Sequence, residues 1–217
     1  MKKTMISMLV LLLLYYSNFA QTRNTPAPLQ QTVSRLDKAT TVKDYELLEK
    51  EFAAMAAASR DWLPYYYAAF CNAKIGFLYQ DDGERIEPYS KQGEEQALKS
   101  QSLLDSTTQK NELSELYTVM SMVYRTKVFI NPMTYGRKYG LLSQHFLDMA
   151  KALSPHNPRV LYVEAWVKYN TPKMWGGDKN LAKQLANESL AQLQQASDDV
   201  QPHWGKTENM TLLNQYK

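Results

Sequence analysis

Apolar side chains return every three or four positions along almost the whole chain, and no stretch alternates convincingly with period two. A spacing near 3.6 marks one face of an α-helix, whereas alternation marks a strand. Leu29, Val33, Leu36 and Thr40 form a first stripe, and Leu48, Phe52, Met55, Ala56 and Ser59 a second. Leu63, Tyr66, Tyr67, Phe70, Ala73 and Phe77 form a third, with Pro64 in the first turn, where a missing N–H does no harm. DDGERIE, residues 81–87, interrupts the pattern and precedes a more polar helix over about 88–107. Leu113, Leu116, Tyr117, Met120, Val123 and Tyr124 make the fifth stripe, and INPMTYG, residues 130–136, reads as a loop. A sixth stripe runs from Tyr139 to Leu153, stopped by Pro155 and Pro158; a seventh from Leu161 to Tyr169, stopped before Pro172; an eighth from Leu181 to Leu193. TENMTLLNQY adds a short helix in the tail. The pattern predicts an all-α chain of about eight helices, stacked as antiparallel pairs.

The first residues set the compartment. MKK is a positive start, Met5–Tyr16 is largely apolar around LVLLLL, and SNFA-Q ends in the small residue Ala20. This is the pattern of a secretory leader, and it is shorter than the roughly 20 apolar residues a spanning helix needs. Residues 1–20 are therefore expected to be a signal peptide, 21–28 a flexible mature N-terminus, and 29–217 a single helical-repeat domain. The mature chain is expected to be periplasmic or secreted from a bacterium, with no membrane span. Of the formal charge of +3, two charges belong to Lys2 and Lys3, leaving +1, so nothing argues for a nucleic-acid partner. Cys71 is the single cysteine and cannot form an internal disulfide, so stability must come from the apolar core. No basic neighbour in sequence would activate it as a nucleophile.

Helices rich in aromatic and small residues recur as PYYYAAF, LSELYTV and PRVLYVEAW, opening at Pro64, Leu113 and Pro158. LDMAKALSPHNPRVLYVEAW resembles the junction of a tetratricopeptide repeat, with Ala150 and, five residues on, Pro155 before a new helix. GGDKNLAKQLANESLAQ resembles the second helix of such a repeat, with Ala182 at the small-residue position. That resemblance covers about 145–195 and implies a short solenoid. P-x-x-W-G-G-D-K, at Pro172–Lys179, is similar to a loop of the tetratricopeptide partner subunits of tripartite periplasmic transporters, and implies an envelope partner.

TPKMWGGDKNLAK, residues 171–183, raises the question of a phosphate loop. A P-loop needs Gly-Lys-Ser/Thr after a strand, and here Asp178 would repel an anion. Pro172, Trp175, Gly176, Gly177 and Asp178 read instead as a structural turn: the glycines accept positive φ, Asp178 caps the next helix, and Trp175 folds back as an apolar plug.

No catalytic, cofactor or metal constellation is visible. His145, His156 and His203 lack metal-ligand spacing, and DDGERIE lacks the alternating ligands of a calcium loop. Tyrosine is enriched at binding surfaces. Tyr65, Tyr66 and Tyr67 cannot all face one way on a helix, so Tyr65, Tyr124, Tyr139 and Tyr169 are the candidate binding surface. The leading functional expectation is a non-enzymatic module that binds a protein or peptide in the envelope. The alternative is a small-ligand-binding partner of a periplasmic transporter, drawn from the aromatic surplus; a hydrolase built from distant residues stands third.

Overall fold

A computed structural model describes residues 27–193 and 200–216. The expected leader and the start of the mature segment, up to residue 26, lie outside the described residues. Among the described residues the chain is all-α, with nine α-helices and no strand. They are α1 (Ala27–Leu36), α2 (Val42–Ala58), α3 (Trp62–Leu78), α4 (Ile86–Ser102), α5 (Lys110–Ile130), α6 (Pro132–Leu153), α7 (Pro158–Asn170), α8 (Lys179–Leu193) and α9 (Lys206–Leu213). Single 3₁₀ turns lie at Gly83–Arg85, Lys173–Trp175 and Asn214–Tyr216.

Local chemistry sets the helix starts. Thr41 and Asp44 form a reciprocal capping box at α2, and the Asp61 carboxylate accepts the Leu63 N–H at α3. INPMTYG is not a loop: the single residue Asn131 separates α5 from α6. Its side-chain oxygen accepts the Thr134 N–H at 3.0 Å, and Pro132 fits the first helical position because that position needs no donor. Asp178 Oδ1 accepts the N–H groups of Asn180 and Leu181 at the head of α8. Gly176 takes φ 92°, and a Cβ at Gly177 would collide with the Thr171 carbonyl at 1.7 Å. Trp175 does not plug this turn; it is 73% exposed, because the turn closes on backbone bonds to Pro172, Lys173 and Lys168 and leaves the ring outside.

Two helices are buried nearly all round, which makes them the centre of the fold. In α5 every residue from Leu113 to Tyr124 is buried. In α3 the same holds from Trp62 to Gly76 except at Tyr65 and Lys74. α5 packs against α3, α4, α6 and α7. Small residues allow the close approaches. Ser121 Oγ lies 3.2 Å from Ser143 Oγ, and Ser114 Oγ donates to the Ala150 carbonyl at 2.9 Å, so α5 and α6 run antiparallel in tight contact. The start of α7 is pinned to α5 by a buried ion pair between Arg159 and Glu115, with Asn157 donating to the same carboxylate at 2.6 Å. A smaller apolar cluster of Leu161, Ala165, Leu185, Ala186 and Leu212 joins α7, α8 and α9.

The α3–α5 crossing gives a direct test of this packing. A Cβ at Gly76 would lie 2.6 Å from Thr126 Cγ2. Gly76→Ala is expected to cost about 1–3 kcal/mol in chemical denaturation, the usual penalty for overpacking. Combining it with Thr126→Ser removes the offending methyl while keeping the hydroxyl's bond to the Val123 carbonyl, and should recover part of the loss.

Candidate functional site

A concavity lies between α1 and α3 on one side and α7 and the C-terminal segment on the other. It is a cleft of about 740 Å³, within the roughly 300–1,000 Å³ common for small-molecule sites. Its aromatic lining comes from Tyr45, Tyr67 and Phe70, Phe77, Tyr162, Trp166 and Trp204, with Val33, Leu36 and Met122 adding aliphatic surface. Five of these rings touch one another. Phe77 meets Trp166 edge-on at 5.0 Å, Phe70 lies 4.8 Å from Trp204, and Tyr162 stands perpendicular to Trp204 at 6.1 Å. Such packing holds the walls in fixed orientations.

One wall arrives last in the chain. Residues from Val200 cross α3 before α9 begins, and polar contacts hold them there. Tyr67 Oη donates to the Val200 carbonyl at 2.6 Å, and the Trp204 indole N–H donates to Tyr66 Oη at 2.8 Å. His203 Nε2 lies 2.9 Å from Asp37 Oδ1 and links this segment to the end of α1 at the cleft edge. Gly205, at φ 120°, makes the turn into α9.

Polar groups share the lining with the rings, among them Asp37, Thr40, Lys74, Gln80, His203 and Glu208. Lys74 is the single charged residue of α3, and its Nζ lies 2.9 Å from Glu208 Oε1 on α9. Both side chains are about 20% exposed. Burial opposes ionisation of each, and the partner's charge prevails, so the Glu208 carboxyl titrates below its ordinary range and the Lys74 ammonium above its own. Glu208 also accepts the Gly205 N–H at the head of α9. The Tyr162 hydroxyl bonds to no group among the described residues, and burial pushes its pKa up. It is a free polar handle on an apolar wall. Lys206 and Thr207 add polar groups at the mouth.

The tyrosines singled out from sequence lie elsewhere, and none lines the cleft. Tyr124 and Tyr139 come together at 6.3 Å on the α5–α6 face. Tyr124 is buried, stacks on Phe146 at 5.2 Å and donates to Glu94 at 2.6 Å. Tyr65 is partly exposed beneath Lys99, and Tyr169 meets Tyr216 beside Lys179. The cleft residues escaped sequence reading because six separate segments supply them. One signal was available: a lone lysine in an otherwise uncharged apolar helix must find a counter-charge, and that helix must face something unusual. Among the described residues, no group of three or more His, Cys, Asp or Glu is set to hold a metal ion.

No protein-family description and no curated protein matches this chain. Among solved structures, the HusA haemophore from Porphyromonas gingivalis is similar at 28% identity and a TM-score of 0.74. The match covers 87% of this chain and 90% of the haemophore chain.

The Lys74–Glu208 pair makes the cleft wall pH-sensitive in a defined direction. A carboxyl with a lowered folded-state pKa stabilises the fold above its unfolded value and loses that contribution as pH falls through the folded one. Glu208→Gln keeps an acceptor for Gly205 but leaves Lys74 an unpaired, largely buried charge. At pH 7 the variant should be less stable by roughly 3 kcal/mol. The deficit should begin to shrink as pH drops below the ordinary glutamate value of 4.5, where the unfolded chain's carboxyl protonates, and should fade as pH falls through the lower folded value. Urea midpoints measured across that range check both parts.

Proposed function

We propose that this chain is an exported, non-enzymatic carrier whose cleft binds a flat, largely apolar small molecule of the haem class. The observation that carries this reading is the coincidence of two facts. The cleft is lined by seven aromatic rings, and the fold that forms it is shared, at 28% identity over most of both chains, with a haemophore. Wide, rigid, aromatic walls suit a planar macrocycle, whose faces stack on rings while its edge groups reach water or the polar groups at the mouth. Of the two leading expectations from sequence, the small-ligand alternative has the better support, ahead of a peptide-binding module.

Export is supported by the leader-like first 20 residues together with the likeness to a haemophore. The tetratricopeptide-like description of residues 145–195 is retained as a description of how α6, α7 and α8 pair: Ala150 and Ala182 are fully buried where those helices meet their neighbours. Its transporter-type loop, with Trp175 exposed, is the surface on which an envelope partner would accept cargo.

Haem titration of the purified chain tests the proposal, read by saturable change in the Soret band and by quenching of tryptophan emission. Trp166→Ala removes one aromatic wall and should weaken binding at least tenfold, about 1.4 kcal/mol, with unchanged helicity. Absence of saturable binding by the native chain, or equal affinity in the variant, refutes the assignment.

A further inference from the structure

The turn between α7 and α8, with the helix ends beside it, carries the excess positive charge of the chain. Between Glu164 and Glu188 the sequence holds four lysines, Lys168, Lys173, Lys179 and Lys183, against the single acid Asp178, a net charge of +3. The whole chain also carries +3, so the remainder balances. Asp178 is committed to the head of α8, where Oδ1 accepts the N–H groups of Asn180 and Leu181. The flanking acids are engaged as well: Glu164 pairs with Lys151, and Glu188 lies 3.8 Å from His156.

Contacts draw these cations into one patch. Lys168 Nζ donates to the Gly176 carbonyl at 3.1 Å and ties α7 to the turn. Lys179 stands over the Tyr169 ring at 4.7 Å, and Lys183 over the Tyr216 ring at 5.5 Å. The two rings meet edge-on at 5.2 Å, and Tyr216 Oη donates to the Lys179 carbonyl at 2.6 Å. Lys173 opens the 3₁₀ turn that also carries Met174 and Trp175. Met174 is 81% exposed and Trp175 73%. Backbone bonds from Trp175 to Pro172 and from Gly176 to Lys173 close the turn, so both apolar side chains project from a defined backbone.

We propose that this patch docks the protein on an anionic lipid surface, with Trp175 and Met174 entering the headgroup layer and the lysines facing lipid phosphates. The amphipathic ring of tryptophan favours the boundary between headgroups and acyl chains. Lysine stems lie along apolar material while their ammonium groups reach the charged heads. Each lysine near such a surface adds to the attraction. A projecting ring also suits a soft surface, which needs no preformed pocket, whereas a protein partner would need a recess matched to it. The proposal goes beyond the cleft and does not depend on its ligand. Trp166 of α7 and Gln215 of the C-terminal turn line the cleft beside this patch, so docking would hold the cleft near the lipid, where an envelope partner would meet it.

Cosedimentation with vesicles of phosphatidylglycerol and phosphatidylcholine in equal parts, beside vesicles of phosphatidylcholine alone, provides the test. The native chain should partition onto the first and not the second, with tryptophan emission shifted to the blue. High salt should release it by screening. Lys173→Glu combined with Lys179→Glu should weaken partitioning by at least about tenfold. Lys91→Glu combined with Lys110→Glu, on α4 and at the head of α5, changes the net charge equally and should weaken it far less. Trp175→Ala should abolish the blue shift and weaken partitioning severalfold. All five side chains are exposed, so helicity should be unchanged in every variant. A native chain that ignores both vesicles overturns the proposal and leaves the patch to an acidic protein surface. Equal losses in the two lysine pairs overturn it too, as does native partitioning by Trp175→Ala. No vesicle carries haem, so these outcomes are separate from those of the haem titration.

Discussion

A helix that is apolar on every side must be covered on every side, and α3 imposes that demand on the rest of the molecule. α2, α4 and α5 cover most of it, with Phe52 stacked on Tyr67 at 5.0 Å and Gly76 drawn against Thr126. The remaining face carries Phe70, Lys74 and Phe77, and it receives the C-terminal segment. Lys74 is what makes that return specific. An ammonium among aromatic rings needs a counter-charge, and Glu208 supplies it from 134 residues away. The cleft is the space left where this cover meets α1 and α7 without filling the gap between them.

Several polar interactions of the interior lie at helix crossings. Glu115 ties α5 to the start of α7 through Arg159 and Asn157. Glu49 of α2 accepts from Gln92 and Gln96 of α4, and Gln96 accepts from Asn72 of α3, so one buried chain links three helices. Burial raises the pKa of Glu49 and outweighs the Gln96 amide and the charge of Lys50, which act to lower it. Each such group is worth little net energy, yet removing one partner would strand the other, so these contacts select one arrangement of helices among many that bury similar area.

The aromatic cleft has walls of packed rings, the Lys74–Glu208 pair and a tyrosine hydroxyl, which suits a broad, largely apolar ligand with polar edge groups. Trp166 belongs both to the cleft wall and to the contact with Phe129 of α5.

Helix content, helix number and most boundaries were legible in the chain, because the 3.6-residue period and the capping residues Thr41, Asp61, Asn157 and Asp178 act over a few positions. The break at Asn131 was misread as a loop because proline and glycine favour both turns and helix starts, and one capping residue decided between them. Tyr124 and Tyr139 were recognisable as aromatic neighbours in kind but not in role, since a stripe does not say which helix will cover it. The cleft belongs wholly to the tertiary level. Tyr45, Lys74, Tyr162, Trp166, His203 and Trp204 sit on segments far apart in sequence, and they meet because α3 had to be enclosed. Sequence alone determined that this chain would fold as amphipathic and fully apolar helices, since that follows from local spacing. Only the packed structure decided which faces would stay open, because that depends on where covering helices run out.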